Sequence, residues 1–423
     1  MTLLQTRPSP QSHPQAPVRH YDLVVVGGGI VGLTLASALR SSGLAIAIVE
    51  TQTPEQAASR PRAYAFSPVS RGIFEQLGLW EQVGSRVTHF QQVRLTDGDW
   101  SVGIDFRPQD GDGKPVYYAA EHHVLMAALQ ASLQESNSLD YLAPAQLRQV
   151  HYGETVHCDI EQDGQVWTCT TDLVVAADGG RSPLRSQAEI GTLGWQYWQS
   201  CITTVVAPAE SHQNIAYEKF WPSGPFAILP LPNGHCQIVW TAPTAEAKAL
   251  MDLPRAKFLN LLQARYGEQM GRIEMLKDPL LFPVKLMQSH CYVKPHLALV
   301  GDAAHSCHPV GGQGLNMGIR DAAALAEVLV EAHSRSEDLG SLAVLHRYQR
   351  WRRWENTVVL SMTDLLNRSF SNHWLPLVAV RRLGIWTLQR VWPLRWLALQ
   401  LMTGRFGRRP DLGLQKSKLC SPP

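Results

Sequence analysis

No run of about 18 or more uncharged apolar residues occurs in the 423-residue chain, so a membrane-spanning helix is not expected. The seven cysteines (Cys158, Cys169, Cys201, Cys236, Cys291, Cys307 and Cys420) are odd in number and contain no CxxC pair. That spacing speaks against a disulfide framework, a dithiol redox centre or a metal site, and suits inert thiols in a reducing compartment. The first residues lack an apolar h-region and are rich in Pro and Gln, so 1–19 reads as a disordered tail rather than a secretion signal. Charge is scarce as well: 17% of residues are charged against 45% hydrophobic, the profile of a chain with a large core. The length exceeds a typical single domain, so two lobes are expected.

The net charge of +2 conceals an asymmetry. Ser341 to Pro423 holds 14 Lys and Arg against 3 acids (Glu355, Asp364, Asp411), a net +11, and the remainder carries −9. Six of the thirteen tryptophans (351, 354, 374, 386, 392, 396) lie in the same segment. Basic residues interleaved with Trp and Leu fit a surface against anionic lipid or an acidic partner. They fit equally a helical lobe packed by its tryptophans, and periodicity does not choose between the two. Nucleic acid is not expected, since the basic run carries no binding motif.

Near the start, Tyr21 to Val26 forms a β-branched strand, followed by Gly27-Gly28-Gly29-Ile30-Val31-Gly32 and an apolar helix from Leu33 to Arg40. A second strand, Leu44 to Val49, ends at Glu50. This is G-x-G-x-x-G in its strand–turn–helix setting with an acid about 20 residues on, the signature of dinucleotide binding. Gly27 permits the tight turn, Gly29 lets a pyrophosphate approach, and Gly32 lets helix and strand pack closely. Glu50 accepts from ribose hydroxyls.

Far downstream, an apolar run from His296 to Val300 delivers Gly301-Asp302 into a turn, and His308-Pro309 leads into Gly311-Gly312-Gln313-Gly314-Leu315-Asn316. The glycine loop opens a helix from about Leu315 to Val330. A carboxylate at a strand end holds a sugar hydroxyl, and the free N–H groups of a helix start hold an electron-rich ring edge or a phosphate. Two such sites far apart in sequence imply one extended ligand gripped at both ends, and FAD fits because its ribityl chain and ring extend beyond the ADP half. No second strand–GxGxxG–helix unit occurs, so NAD(P)H would lack a Rossmann domain of its own. Between the two ends, Leu173 to Ala177 is a buried strand ending in Asp178-Gly179, with Ser182 placed to cap a short helix.

Together these three elements resemble the aromatic-ring hydroxylase group of flavin monooxygenases, with the para-hydroxybenzoate hydroxylase fold. More narrowly they resemble the ubiquinone-biosynthesis hydroxylases of the UbiH/UbiF/Coq6 type. Arg62 with Ala63-Tyr64-Ala65-Phe66-Ser67, Glu121 to Leu125, Phe220 to Leu231 and Tyr348 to Arg353 extend the likeness over most of the chain, although Arg60 stands where the family usually has an acid. The resemblance implies an α/β (α+β) architecture: an FAD-binding Rossmann-like βαβ domain (20–80, 112–185, 285–345), an interleaved mixed-sheet substrate domain (81–111, 186–284) and a helical basic C-terminal segment (346–423).

It also implies the reaction, in which NAD(P)H and O₂ act through a flavin C4a-hydroperoxide to hydroxylate an aromatic, prenylated phenol or quinone precursor. Asp302 then holds the ribityl chain and Asp178 lies near the diphosphate. The N–H groups of Gln313, Gly314, Leu315 and Asn316 face the flavin, Pro309 walls the reacting edge, and Arg62 neutralises the pyrophosphate or flanks the ring. Activation of a phenol calls for a base or relay. Tyr217 and His308 are the candidates, while Phe220 and Trp240 line the pocket or pack the sheet. A packed imidazole fits His308, and His305, as well as proton handling does. A flavin-dependent epoxidase or oxidase, or a non-catalytic FAD-containing subunit of a complex, also fits the cofactor elements. The expected location is the cytoplasm, with the cytoplasmic membrane face as its alternative.

Overall fold

The computed structural model describes residues 18–413 apart from Asp99, Ser101 and Glu135. The expected tail therefore lies largely outside the described residues, and its boundary moves: Arg19 already opens the first strand, Arg19–Val26. Leu23, Val24 and Val25 are wholly buried, as a strand covered on both faces requires. Five strands run parallel in the order Leu297–Leu299, Gln165–Ala176, Arg19–Val26, Ile46–Val49 and Leu139–Leu142. The helices Ile30–Leu39, His122–Leu133 and Gln313–Ser334 share one hydrophobic core with this sheet. The first helix thus begins at Ile30, directly after the glycine turn.

A second sheet of nine strands is built mainly from 192–289 and is largely antiparallel. Its far edge comes from earlier in the chain, where Gln92–Asp97 pairs in parallel with Ile215–Trp221 and Gly103–Phe106 pairs outside it. The expected boundary at 285 falls inside a strand of this sheet, Leu280–Ser289, and the one at 346 falls inside the helix Leu342–Phe370. Three antiparallel strands, Gln146–His151, Val156–Gln162 and Val293–Lys294, extend the first sheet, and a small sheet of Ala63–Phe66, Tyr118–Glu121 and Thr88–His89 completes the β structure among the described residues.

After Leu342–Phe370 come two further helices, Leu375–Arg390 and Trp392–Met402. The basic excess of this segment is largely met by acids of the preceding chain. Asp97 pairs with Arg381 and Arg382 at 2.9 and 3.0 Å, Asp110 with Arg395 at 2.8 Å, and Asp112 with Arg405 at 2.9 Å. Glu327 pairs with Arg408. The tryptophans behave otherwise: Trp374, Trp386, Trp392 and Trp396 are exposed and do not pack a core. Among the described residues no helix is long and apolar enough to cross a membrane.

Candidate active site

Four strand ends lie in register along one edge of the parallel sheet. Leu299 pairs with Ala176, Ala176 with Val26, and Val26 with Val49. Just beyond these ends stand Asp302, Asp178, Gly27 and Glu50, in that spatial order. At about 4.8 Å per strand, the Asp302 and Glu50 positions are separated by roughly 14 Å, a span that one extended ligand bridges. The crevice outside the carboxyl ends of parallel strands is where such folds bind nucleotides.

The glycine turn has the three expected environments. A Cβ on Gly27, whose φ is +110°, would lie 2.4 Å from the Ala177 carbonyl oxygen, and one on Gly32 would lie 2.0 Å from that of Gly27. A Cβ on Gly29 would meet nothing within 4 Å, so that position borders open space where a phosphate can come close. Glu50 closes the turn, its Oε2 accepting from the Gly28 amide at 2.8 Å and its Oε1 from the Gln52 amide at 2.9 Å. Asp178 accepts from the Leu184 amide at 3.3 Å through Oδ2, while its buried Oδ1 has no partner. Burial raises the Asp178 carboxyl, as it does that of Asp302. Ser182 caps the short helix Pro183–Gln187, accepting from the Arg185 amide at 3.0 Å.

A cavity of about 750 Å³ opens from this edge and is lined by Arg62, Asp302, Pro309 and Gly311 to Leu315. The helix Gln313–Ser334 starts at Gly312, a left-handed residue at φ +60° with no side-chain cap, so its first N–H groups are left without a capping acceptor. Around Asp302 gather Lys285, Arg62 and the His305 ring, which offset the cost of burying its charge. Lys285 lines the cavity and donates to the Gly180 carbonyl at 2.9 Å. The Arg62 guanidinium lies 4.1 Å over the Phe282 ring.

Several expected site residues are elsewhere. Gly301, at φ +59°, turns the chain behind the cavity, and its amide donates to Asp321 at 3.2 Å. Asn316 does not line the cavity. Its Oδ1 accepts from the Ser67 amide and the Ser70 hydroxyl at 2.7 Å each, and its Nδ2 donates to the Ala65 and Gly312 carbonyls, so it clamps the glycine loop to the Arg62 segment. His308 is fully buried behind the loop, edge-on to Tyr197, and burial pushes it down to about 3. A neutral ring with no cavity surface does not relay protons from a substrate.

Trp240 packs with Phe226 and Phe258 in a separate core, whereas Tyr217 borders the cavity and also packs against that core. The reason is strand alternation: on Ile215–Trp221 the buried positions are Ala216, Glu218 and Phe220. Phe220 keeps its place on the cavity wall. Glu218 joins it there, unforeseen from the sequence, although an acid between apolar neighbours on an alternating strand was a signal to be read. His305 belongs to another set. Its Nε2 lies 2.5 Å from Asp321 Oδ2, whose Oδ1 accepts from Arg352 at 2.8 Å and Asn356 at 3.0 Å, all of them buried. Burial would raise the Asp321 carboxyl, but His305 and Arg352 outweigh it and hold it well below the usual carboxylate range.

The signature of an FAD binding domain matches residues 20–357. The chain belongs to this family of FAD-dependent monooxygenases. It is 47% identical over 94% of its length to an uncharacterised protein of Synechocystis, covering 96% of it. It is 35% identical over 92% of its length to the ubiquinone hydroxylase UbiL of Rhodospirillum rubrum, covering 91% of that protein. To the 3-demethoxyubiquinol 3-hydroxylase of Escherichia coli it is 33% identical over 90% of its length, covering 98% of that enzyme. Among solved structures it superposes on p-nitrophenol 4-monooxygenase PnpA of Pseudomonas putida with a TM-score of 0.77 at 20% identity, over 92% of this chain and all of that one.

The residues present fit FAD: open space at Gly29 and an unpartnered Asp178 oxygen lie along the sheet edge, and an uncapped helix start lines the cavity that Asp302 also lines. Bound FAD supplies the redox chemistry that couples NAD(P)H and O₂ to insertion of one oxygen atom. The chain supplies position and a cavity walled mainly by apolar side chains, with polar groups at the loop and a few others, Thr363, Ser369 and Arg381, on the C-terminal helices.

Proposed function

We propose that this protein hydroxylates a phenol or quinone precursor carrying an isoprenoid tail, as a step of quinone biosynthesis, and that it works at a membrane surface. In this reading the Gly27–Gly32 turn and Glu50 hold the adenosine end of FAD, and Asp178 and Asp302 hold its middle. Arg62 and the N–H groups at 313–315 face the ring, and Pro309 walls the reacting edge. The names of the two hydroxylase relatives support the substrate class.

One observation carries the reading: the cavity does not stop at the loop. It continues along Leu366, Leu377, Ile385 and Leu388 of the C-terminal helices, and Leu365 and Val380 both line it and reach solvent. An aromatic head fits the polar end and a long apolar tail fits the rest, leaving between the helices. On the same C-terminal helices and at their starts Trp374 and Leu375 are 68% and 78% exposed, and Trp386, Trp392 and Trp396 are exposed as well. An exposed patch of this kind marks a membrane or partner contact.

The reaction is tested by NADH or NADPH oxidation with and without a prenylated phenol, and by mass spectrometry for a product one oxygen atom heavier. Oxidation with no phenol dependence and no oxygenated product would overturn it. The surface is tested by flotation with liposomes. Because the arginines there are largely held by internal carboxylates, association is expected to persist in salt and on neutral lipid, and to fall at least tenfold when Trp374, Trp386 and Trp392 are changed together to Ser. Binding abolished by salt alone would assign it to charge instead.

A further inference from the structure

Glu218 is a buried acid that the fold does not need. It sits on Ile215–Trp221 between Ala216 and Phe220, forms part of the cavity wall and is only 9% exposed. Among the described residues no salt bridge reaches it, and the only group that eases its ionisation is the Gly311 amide of the glycine loop. The other titratable groups near it are Tyr117 and Cys201, both pushed up to about 12 by burial and therefore uncharged at neutral pH. Of the cations on the cavity wall, Arg381 is held by Asp97, Arg62 lies over Phe282, and Lys285 donates to the Gly180 carbonyl beside Asp302. Burying a carboxyl without a charged partner costs stability that an apolar residue would not. It stands against the glycine loop at the Gly311 amide and beside Phe220, on the wall of the cavity that the reading above gives to the substrate ring.

We propose that Glu218 is the catalytic base for the substrate's ring hydroxyl. The phenolic O–H bond breaks, the proton passes to the Glu218 carboxylate, and the electron pair stays on the ring oxygen. The ring then becomes a better nucleophile towards the oxygen donor, and Glu218 returns the proton to solvent or product after transfer. This rests on the phenol-hydroxylase reading above.

Burial pushes the Glu218 carboxyl up to about 8, closer to a phenol near ~10 than an exposed Glu near ~4.3 is, so the uphill proton transfer is much reduced. The sign follows. Below about 8 the group is already protonated and can only donate; above it, the carboxylate accepts. Turnover and preference for a phenol should both rise with pH through that region.

The test uses the FAD-loaded full chain with 2-geranylphenol and its methyl ether, comparing wild type, Glu218→Gln and Glu218→Asp. Binding is read from perturbation of the flavin absorbance across about pH 6 to 10. Wild type is expected to prefer the phenol over the ether increasingly as pH rises. Glu218→Gln should lose that pH dependence and, with flavin retained, lose about 100-fold in kcat with KM within about threefold. Glu218→Asp should restore part of both. A Glu218→Gln protein with the wild-type pH profile and kcat would overturn the assignment while leaving the hydroxylase reading intact. If wild type turns over no phenol, that reading fails, and the comparison of phenol with ether still decides whether Glu218 recognises the hydroxyl.

Discussion

The cofactor half and the substrate half of this protein are built on different principles. Along the edge of the parallel sheet each role belongs to a short stretch of chain: a glycine turn, a strand-end acid, an uncapped helix start. The cavity wall is instead assembled from strand 215–221, the Arg62 segment, the glycine loop and three C-terminal helices, which no local pattern joins. Local sites are fixed by backbone geometry and survive as motifs. Assembled sites are fixed by packing and register, and appear only when the chain is folded.

The sharpest way to break this contrast is at the joint between the halves. Asp321 binds the Gly301 turn to the helix Leu342–Phe370 through His305, Arg352 and Asn356, and is wholly buried. Asp321→Asn would leave Arg352 with only Glu355 as a carboxylate partner, and is expected to cost about 3–5 kcal/mol, read as a fall in Tm or denaturation midpoint. Because the carboxyl is held below its ordinary range, its contribution is present above the unfolded value near ~3.9 and is lost as pH falls through the folded one. The wild type should therefore lose this contribution in acid, while Asp321→Asn should not. Equal stability of the two proteins at neutral pH would remove Asp321 as the joint.

A second comparison sharpens the cofactor half. Gly32→Ala forces a Cβ within 2.0 Å of the Gly27 carbonyl, so both stability, by about 1–3 kcal/mol, and flavin binding should fall. Gly29→Ala meets no atom of the chain. Its unfolding free energy without flavin should stay within about 0.5 kcal/mol of wild type while flavin affinity drops, as measured by absorbance titration. Parallel loss of stability in both variants would mean that Gly29 is a folding residue and not a phosphate approach.

The same division explains what was legible in the sequence. The roles of Gly27, Gly29, Gly32, Glu50 and Asp302 rest on strand–turn–helix patterns, and the structure puts all five residues on or beside one edge. Asn316 is read from the sequence for its N–H at the helix start; the role of its side chain, which bonds to residues some 250 positions away, is a contact no spacing encodes. His308 has the right neighbours in sequence, yet the loop turns it inward against Tyr197. The C-terminal charge is real, but the acids that meet it are Asp97, Asp110 and Asp112, which composition counts on the other side of the ledger.

The smallest expected effect tests register, the property that separates Glu218 from its neighbour. A one-residue slip on a strand exchanges its faces, so the side chains of Tyr217 and Glu218 leave the strand on opposite faces, although both residues border the cavity. Tyr217 packs against the core of Trp240 and Phe258, and burial raises its hydroxyl. Removing that hydroxyl takes nothing from the substrate. Tyr217→Phe should leave kcat, KM and the pH profile at wild-type values and change stability by no more than about 0.5 kcal/mol. A Tyr217→Phe protein with impaired turnover and an altered pH limb would invert the assignment, putting the phenol in reach of Tyr217 and Glu218 in the core. The two conservative substitutions, one position apart, thus have opposite expected outcomes because the strand has a period of two.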